Sequence, residues 1–214
     1  QMKEDVYDNG TYDEKTDFAE KHLFSPMRQK LKELAGPITG NVLELAVSTG
    51  KGLSLYEGQD CRVIGADFSA PALKEAARKA AAKKIEFKPI EADVECLIDV
   101  PTESIDTVVC QLGFCTFYNP VRVMNEVDRV LKPKGRILLL EHVVPDSVIM
   151  KLLLKLIGKK AKQEFGCNVD RKTLHMFGSR FTCSADTSKL GGFLHASVFY
   201  KDMYKQPGVE GIVW

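Results

Sequence analysis

The 214-residue sequence holds no apolar run approaching the roughly 20 residues needed to cross a bilayer, so a membrane-spanning helix is not expected. Its six cysteines (Cys61, Cys96, Cys110, Cys115, Cys167 and Cys183) include no C-x-x-C pair and no paired spacing. A disulfide scaffold and a metal site are therefore not expected, and a reduced, intracellular setting is. An excess of charge of either sign is also missing: 30 Lys and Arg face 29 Asp and Glu, a formal charge of +1. Nothing in that balance draws the chain toward nucleic acid, and no RNA-binding module is appended. Internal repeats and low-complexity tracts are absent too. What remains is ordinary for a globular protein, 44% hydrophobic and 28% charged, at a length that fits one domain. Gln1 precedes Met2, so a trimmed N-terminus is expected, which leaves a targeting segment ahead of it open.

Along the chain, hydrophobic periodicity alternates between strand and helix. Residues 1–20 are polar and acidic, and composition alone reads them as a frayed arm. Leu23, Phe24, Met27, Leu31 and Leu34 recur at three- and four-residue steps, which predicts an amphipathic helix that Gly36-Pro37 stops. Strands are predicted over Val42–Ala46, Arg62–Ala66, Ile85–Pro89, Ile105–Gln111 and Arg136–Glu141. Between them, Ser69-Ala70-Pro71 reads as an N-cap with proline in the first turn of a helix running to about Ala82. A second helix is expected from Pro120 to Leu131, followed by a turn at Lys132-Pro133-Lys134-Gly135. This alternation implies right-handed crossovers and a mostly parallel, doubly wound α/β sheet covered on both faces. Past Pro145, Val148–Ile157 is apolar with Lys151, Lys155 and Lys159 at four-residue spacing; a core or lid helix is favoured over one lying on a membrane surface. His195–Tyr200 and Val209–Trp214 are the tail's strand candidates.

Four features fall at carboxyl ends of predicted strands, where open α/β sheets bind ligands. After the first strand comes a turn of small residues, Ala46-Val47-Ser48-Thr49-Gly50-Lys51-Gly52, which lets a ligand approach the backbone closely. Asp67 ends the second strand, where a carboxylate accepts from both hydroxyls of a ribose. Asp93 follows the third strand, and Gln111-Leu112-Gly113-Phe114 ends the fourth. Singly, a strand-end aspartate is more often a turn former; four such features in order are much more specific. A dinucleotide site competes, but residues 46–52 lack G-x-G-x-x-G. Near the ends of the fourth and fifth strands stand Cys115, Tyr118, Glu141 and His142. His142 is the best general base by its intrinsic pKa, against the alternative of a hydrogen-bonded strand-end histidine. Phe114, Phe117 and Phe165 suggest either an apolar acceptor pocket or core.

The Val42–Gly52 segment, with Ser104–Cys110, the Arg129-Val130-Leu131-Lys132-Pro133-Lys134-Gly135 run, Glu141-His142-Val143 and Phe165-Gly166-Cys167-Asn168, resembles class I S-adenosylmethionine-dependent methyltransferases of the type-11 branch. That branch includes ubiquinone/menaquinone C-methyltransferases and small eukaryotic methyltransferase-like proteins. The resemblance spans nearly everything from Tyr7 to Trp214 and departs in motif I, where Ala46 and Ser48 stand in place of glycines. It implies a Rossmann-like seven-stranded sheet whose last strand is antiparallel. It divides one domain into an arm and helix (1–35), a cofactor-binding core (36–145) and a lid or acceptor region (146–214). The cofactor implied is S-adenosyl-L-methionine, with Glu44, Ala46, Ser48 and Gly50 around its methionine part. Asp67 and Phe68 would serve the ribose side, Asp93 and Val94 the adenine, and Gln111 and Leu112 the donor end, with Tyr7 and Tyr12 folding over it. Methyl transfer to a small or lipid-like acceptor follows; the alternatives are an inactive fold serving as a binding or assembly subunit, with protein partners, and methylation of a macromolecule. A mitochondrial or cytoplasmic setting is implied.

Overall fold

The computed structural model describes residues 11–145 and 148–201; the predicted strand at Val209–Trp214 and the Tyr7 position lie outside them, as does the side chain of Tyr12. The chain opens with helix α1 (Thr11–Ala19), a single π-helical turn (Glu20–Phe24) and helix α2 (Ser25–Ala35). The backbone stays helical at the junctions Ala19 and Ser25, so these form one bent rod. Pro26 supplies the cause: it has no N–H to donate, and its ring displaces the carbonyl one turn back, which widens the helix locally. The frayed-arm expectation thus does not hold for residues 11–20.

Seven strands follow the order β3-β2-β1-β4-β5-β7-β6. They are β1 (Gly40–Leu45), β2 (Cys61–Asp67), β3 (Glu86–Glu91), β4 (Ile105–Gln111), β5 (Leu131–His142), β6 (Thr182–Lys189) and β7 (Leu194–Tyr200). β7 lies antiparallel between β5 and β6, and β1 to β5 are parallel. Strand order reverses between β1 and β4, the crevice position where open α/β sheets take ligands.

Both sheet faces are apolar because both are covered. On β5, Ile137 and Leu139 join one core cluster while Leu138 and Leu140 join the other. One face carries α2 and helix α3 (Ala70–Ala82), through Met27, Leu31, Leu73 and Ala76. The other carries helices α4 (Pro120–Val130) and α6 (Thr173–Gly178), through Val123, Val127 and Phe177. Ser69 caps α3, its hydroxyl accepting from Ala72 N at 3.3 Å. Asn119 caps α4 in the same way.

Three expectations change. The Lys132–Gly135 turn is a bulge within β5: pairing jumps from Ile105↔Leu131 to Thr107↔Arg136, with Lys134 at φ +65°. β6 was not foreseen, because an edge strand of Thr, Ser, Asp and Lys has no apolar alternation to read. Helix α5 runs from Val148 to Phe165, longer than expected; among its described leucines Leu154 is buried while Leu152 and Leu156 are exposed.

Candidate active site

The carboxyl ends of β1, β2, β4 and β5 open into one cavity of about 1280 Å³. Nine of the residues expected around the cofactor line it: Glu44 and Ala46; Ser48; Asp67 and Phe68; Asp93 and Val94; Gln111 and Leu112. Gly50 does not. At φ +77°, a Cβ there would meet Leu53 at 2.7 Å and Ala76 at 3.0 Å, so this glycine serves the packing of the turn onto α3.

The turn after β1 has an unusual backbone. Ala46 (φ +52°) and Ser48 (φ +51°) both occupy the left-handed region, at a cost of roughly 1–2 kcal/mol each for residues with a Cβ. What holds the turn is Asp67. Its carboxylate accepts from Ser48 N at 2.9 Å and from Ser69 N at 3.0 Å, tying the ends of β1 and β2 together. Burial raises the Asp67 carboxyl above its usual range, with the backbone N–H groups of Ser69, Ser48 and Phe68 acting against it. The Ser48 hydroxyl is buried and has no hydrogen-bond partner among the described residues.

Glu44 sits at the base of the cavity, 2% exposed. Its Oε1 accepts from Gln111 Nε2 at 2.8 Å, and the equally buried Tyr56 hydroxyl lies against the carboxyl. Burial pushes this carboxyl up to about 7, against the pull of the Tyr56 hydroxyl, Arg28 and Gln111. Arg28 is the residue that sequence reading missed. It is buried on α2, donates Nε to Gln111 Oε1 at 2.6 Å and pairs with Glu20 of the π-helical turn. A charged residue on the apolar face of a helix was the available signal. A Cβ at Gly52 would fall 2.4 Å from Gln111 and 2.7 Å from Glu44, so that glycine makes room for the network.

α1 closes one side. Asp13 accepts from Thr49 Oγ1 at 2.7 Å and from Lys79 Nζ at 2.8 Å, while Lys51 Nζ donates to Asp13 O and to Thr16 Oγ1. Burial acts to raise the Asp13 carboxyl, but Lys79 and Thr49 outweigh it and hold it below the usual range. Asp93 lines the opposite rim, is exposed and accepts from Glu95 N at 2.9 Å, the local turn that an aspartate at a strand end makes.

At the far end, His142 lines the cavity and stacks on Phe193 at a ring separation of 5.3 Å. Its Nε2 lies 2.9 Å from Cys167 Sγ, so this nitrogen is not free to meet an acceptor as a base. Burial acts to lower the His142 pKa, yet Cys167 and Glu141 outweigh it and the net direction is up. Cys115, His142 and Cys167 converge: their donor atoms all lie within 4.8 Å of one another. These cysteines, 52 positions apart in sequence, have no spacing signature, which is why no cluster was expected. Glu141 is fully buried and accepts from Phe114 N at 2.7 Å, holding the loop after β4. Burial raises its carboxyl to about 7. Of the aromatic candidates, Phe117 reaches the cavity, Phe114 is core, and the Phe165 side chain lies outside what is described. Tyr118 stands on the rim, almost fully exposed.

The donor set fits S-adenosylmethionine. An ammonium would offset the buried charge of Glu44, and a polar group would satisfy the Ser48 hydroxyl. Asp67 keeps lone pairs for a ribose diol, and the half-exposed Phe68 ring offers a face to a base.

Residues 43–139 match the family described as "Methyltransferase domain", type 11. A demethylmenaquinone methyltransferase from Thermus thermophilus is 39% identical over 106 residues, covering 49% of this chain and 48% of that protein. The human thiol S-methyltransferase TMT1A is 29% identical over 170 residues, covering 76% of this chain and 66% of that protein. The chain thus spans about half to two thirds of the length of these relatives. Geranyl diphosphate C-methyltransferase from Streptomyces coelicolor A3(2), solved with Mg²⁺, geranyl diphosphate and S-adenosyl-L-homocysteine, shares the fold at a TM-score of 0.66. It is 13% identical, and the match covers 89% of this chain and 83% of that one. Fold, site order and the match over residues 43–139 thus make this chain similar to class I S-adenosylmethionine-dependent methyltransferases of the type-11 branch.

Proposed function

We propose that this chain binds S-adenosylmethionine in the crevice between β1 and β4 and directs methyl transfer to a small, largely apolar acceptor. The observation that carries this reading is the Ser48 Oγ on the cavity wall, buried without a hydrogen-bond partner among the described residues, beside the buried Glu44 carboxyl. Such an atom is expensive in an empty site and calls for a polar ligand. The bound cofactor supplies a methyl group on a sulfonium.

The chain's own residues hold and orient. Glu44 pairs with the ammonium, Asp67 accepts from the ribose hydroxyls, Phe68 and Val94 flank the base, and Asp93 faces its amino group at the rim. Gln111, fixed by Arg28 and Glu44, sets the floor beside Leu112. Tyr7 and Tyr12 belong to the same proposal as a cover over the cofactor, and the clamped α1 places residue 12 beside the latch at Asp13. Alignment of this kind can supply on the order of 7–11 kcal/mol of barrier lowering. A cavity of about 1280 Å³ exceeds what one drug-sized ligand needs, which leaves room for an acceptor beside the cofactor. Phe24, Phe117 and Ala161 in the cavity lining favour an apolar acceptor body.

Calorimetry with S-adenosylmethionine and S-adenosylhomocysteine tests the reading. Micromolar binding at one site per chain is expected. No detectable binding up to millimolar ligand would overturn it and favour the fold serving only as a binding or assembly subunit. A screen of small thiols and quinols with isotopically labelled cofactor then assigns the acceptor.

A further inference from the structure

Cys115, His142 and Cys167 come from three separate pieces of chain: the loop after β4, the end of β5 and the segment after α5. That segment is fastened to the first loop. Asn168 donates its backbone N–H (3.0 Å) and its side-chain amide (3.1 Å) to Cys115 O, and Arg171 donates to Phe114 O. Phe193 stacked on His142 and Glu141 bonded to Phe114 N fix the remaining degrees of freedom. The three donors are thus held in place by their surroundings as well as by the contact between His142 and Cys167.

We infer that Cys115, His142 and Cys167 form a binding site for a single zinc-class cation, with its fourth coordination position open to the cavity. The chemistry of the donors selects the ion: two thiolates and one imidazole suit zinc and exclude magnesium or calcium, which take oxygen ligands. Zinc sets tetrahedral S and N donors about 3.5–3.8 Å apart; the three donor atoms lie within 4.8 Å of one another, with His142 and Cys167 at 2.9 Å, so an ion needs only a small outward adjustment of that pair. Charge closes too, since two thiolates balance a divalent ion. Three protein ligands with one open position is the arrangement of a reactive zinc site rather than a structural one. All three residues line the cavity, so the open position faces the acceptor space.

The consequence rests on the proposed methyl-transfer function. A thiol entering the fourth position would bind as the thiolate, its proton passing to solvent, and be held as a sulfur nucleophile at neutral pH. No free general base is then required, which fits a His142 whose Nε2 already faces Cys167.

Zinc content is the direct test. Protein reduced with a phosphine, incubated with zinc and desalted should retain one ion per chain by mass spectrometry. Cys115→Ser, Cys167→Ser and His142→Asn should each weaken retention by more than the 10–100-fold typical of losing an outer partner, whereas Cys96→Ser and Cys183→Ser, at exposed sites, should not. Cobalt added to the unmutated protein should give the intense visible bands of a tetrahedral site with thiolate charge transfer, a readout independent of how the variants fold. Zinc below stoichiometry, an octahedral cobalt spectrum, or quantitative formation of a Cys115–Cys167 disulfide without metal uptake would each overturn the inference. Zinc uptake in a protein that binds no S-adenosylmethionine would instead remove the methyl-transfer reading and leave the metal site standing.

Discussion

Two residues carry the cofactor question, and each makes a distinct prediction. Ser48 occupies a left-handed conformation that favours glycine, yet its hydroxyl is buried and unpartnered. If that hydroxyl meets the cofactor, Ser48→Ala removes one hydrogen bond, worth about 0.5–1.5 kcal/mol, and weakens binding roughly 2- to 10-fold. Ser48→Gly should lose the same contact while relieving backbone strain, so it binds weakly but melts no lower than the alanine variant. Tighter cofactor binding by Ser48→Gly, read by calorimetry, would show the opposite: that the side chain obstructs the site. Glu44 sets a pH dependence. Its carboxyl titrates at about 7 in the folded protein and near 4.5 when unfolded. The folded state therefore keeps a proton that the unfolded state releases between those values, and stability of the free protein falls as pH rises through that window. The effect is bounded at about 3 kcal/mol. Ligand affinity should run the other way, because an ammonium is held by the ionised form: binding strengthens above pH 7. Denaturant titrations at pH 5 and 8 should show a smaller stability difference for Glu44→Gln than for the unmutated protein, with Glu141 and His142 among the groups that contribute to the remaining slope.

The element that matters most for access is α1, held by side chains rather than by a core. Phe18 on this helix is exposed, and the fastening runs through Asp13 to Thr49, Lys51 and Lys79. Asp13→Ala should leave global stability within about 1 kcal/mol, since partly exposed ion pairs contribute little. It should still free the helix locally, seen as faster proteolysis within residues 11–20 and faster release of S-adenosylhomocysteine. Unchanged proteolysis would mean that other contacts hold α1. Elements of this kind also mark where sequence reading stops. The strands β1, β2, β4 and β5 were legible because buried parallel strands are continuous apolar runs bounded by turn residues. α1 was not, because its order depends on three partners distant in sequence, and a polar segment with no apolar stripe resembles an arm. β6 was hidden for the same reason: its registration against β7 comes from main-chain pairing that side-chain pattern does not report.

At the scale of the molecule, sheet order brings together what linear spacing keeps apart. Glu44, Asp67 and Gln111 could be anticipated because each ends a strand, and strand ends of a doubly wound sheet converge. Arg28 and the Cys115–His142–Cys167 group could not, since their meeting depends on helix docking and loop closure rather than on position in a strand. The same convergence predicts a global response to ligand. Because the ends of β1, β2 and β4 and Thr16 of α1 all line one cavity, a ligand seated there bridges the strand ends and the helix that closes over them. Binding to the folded state alone adds stability by mass action, about 2.7 kcal/mol at a ligand concentration 100 times Kd. For a chain of this size each kcal/mol moves Tm by roughly 2–4 °C, so S-adenosylhomocysteine at that level should raise Tm by about 5–10 °C. Asp67→Ala should abolish the shift, because it removes both the proposed ribose acceptor and the bond that holds Ser48 N. NAD at the same concentration should give none. A shift of equal size with NAD would return the crevice to the dinucleotide reading that its missing G-x-G-x-x-G argues against.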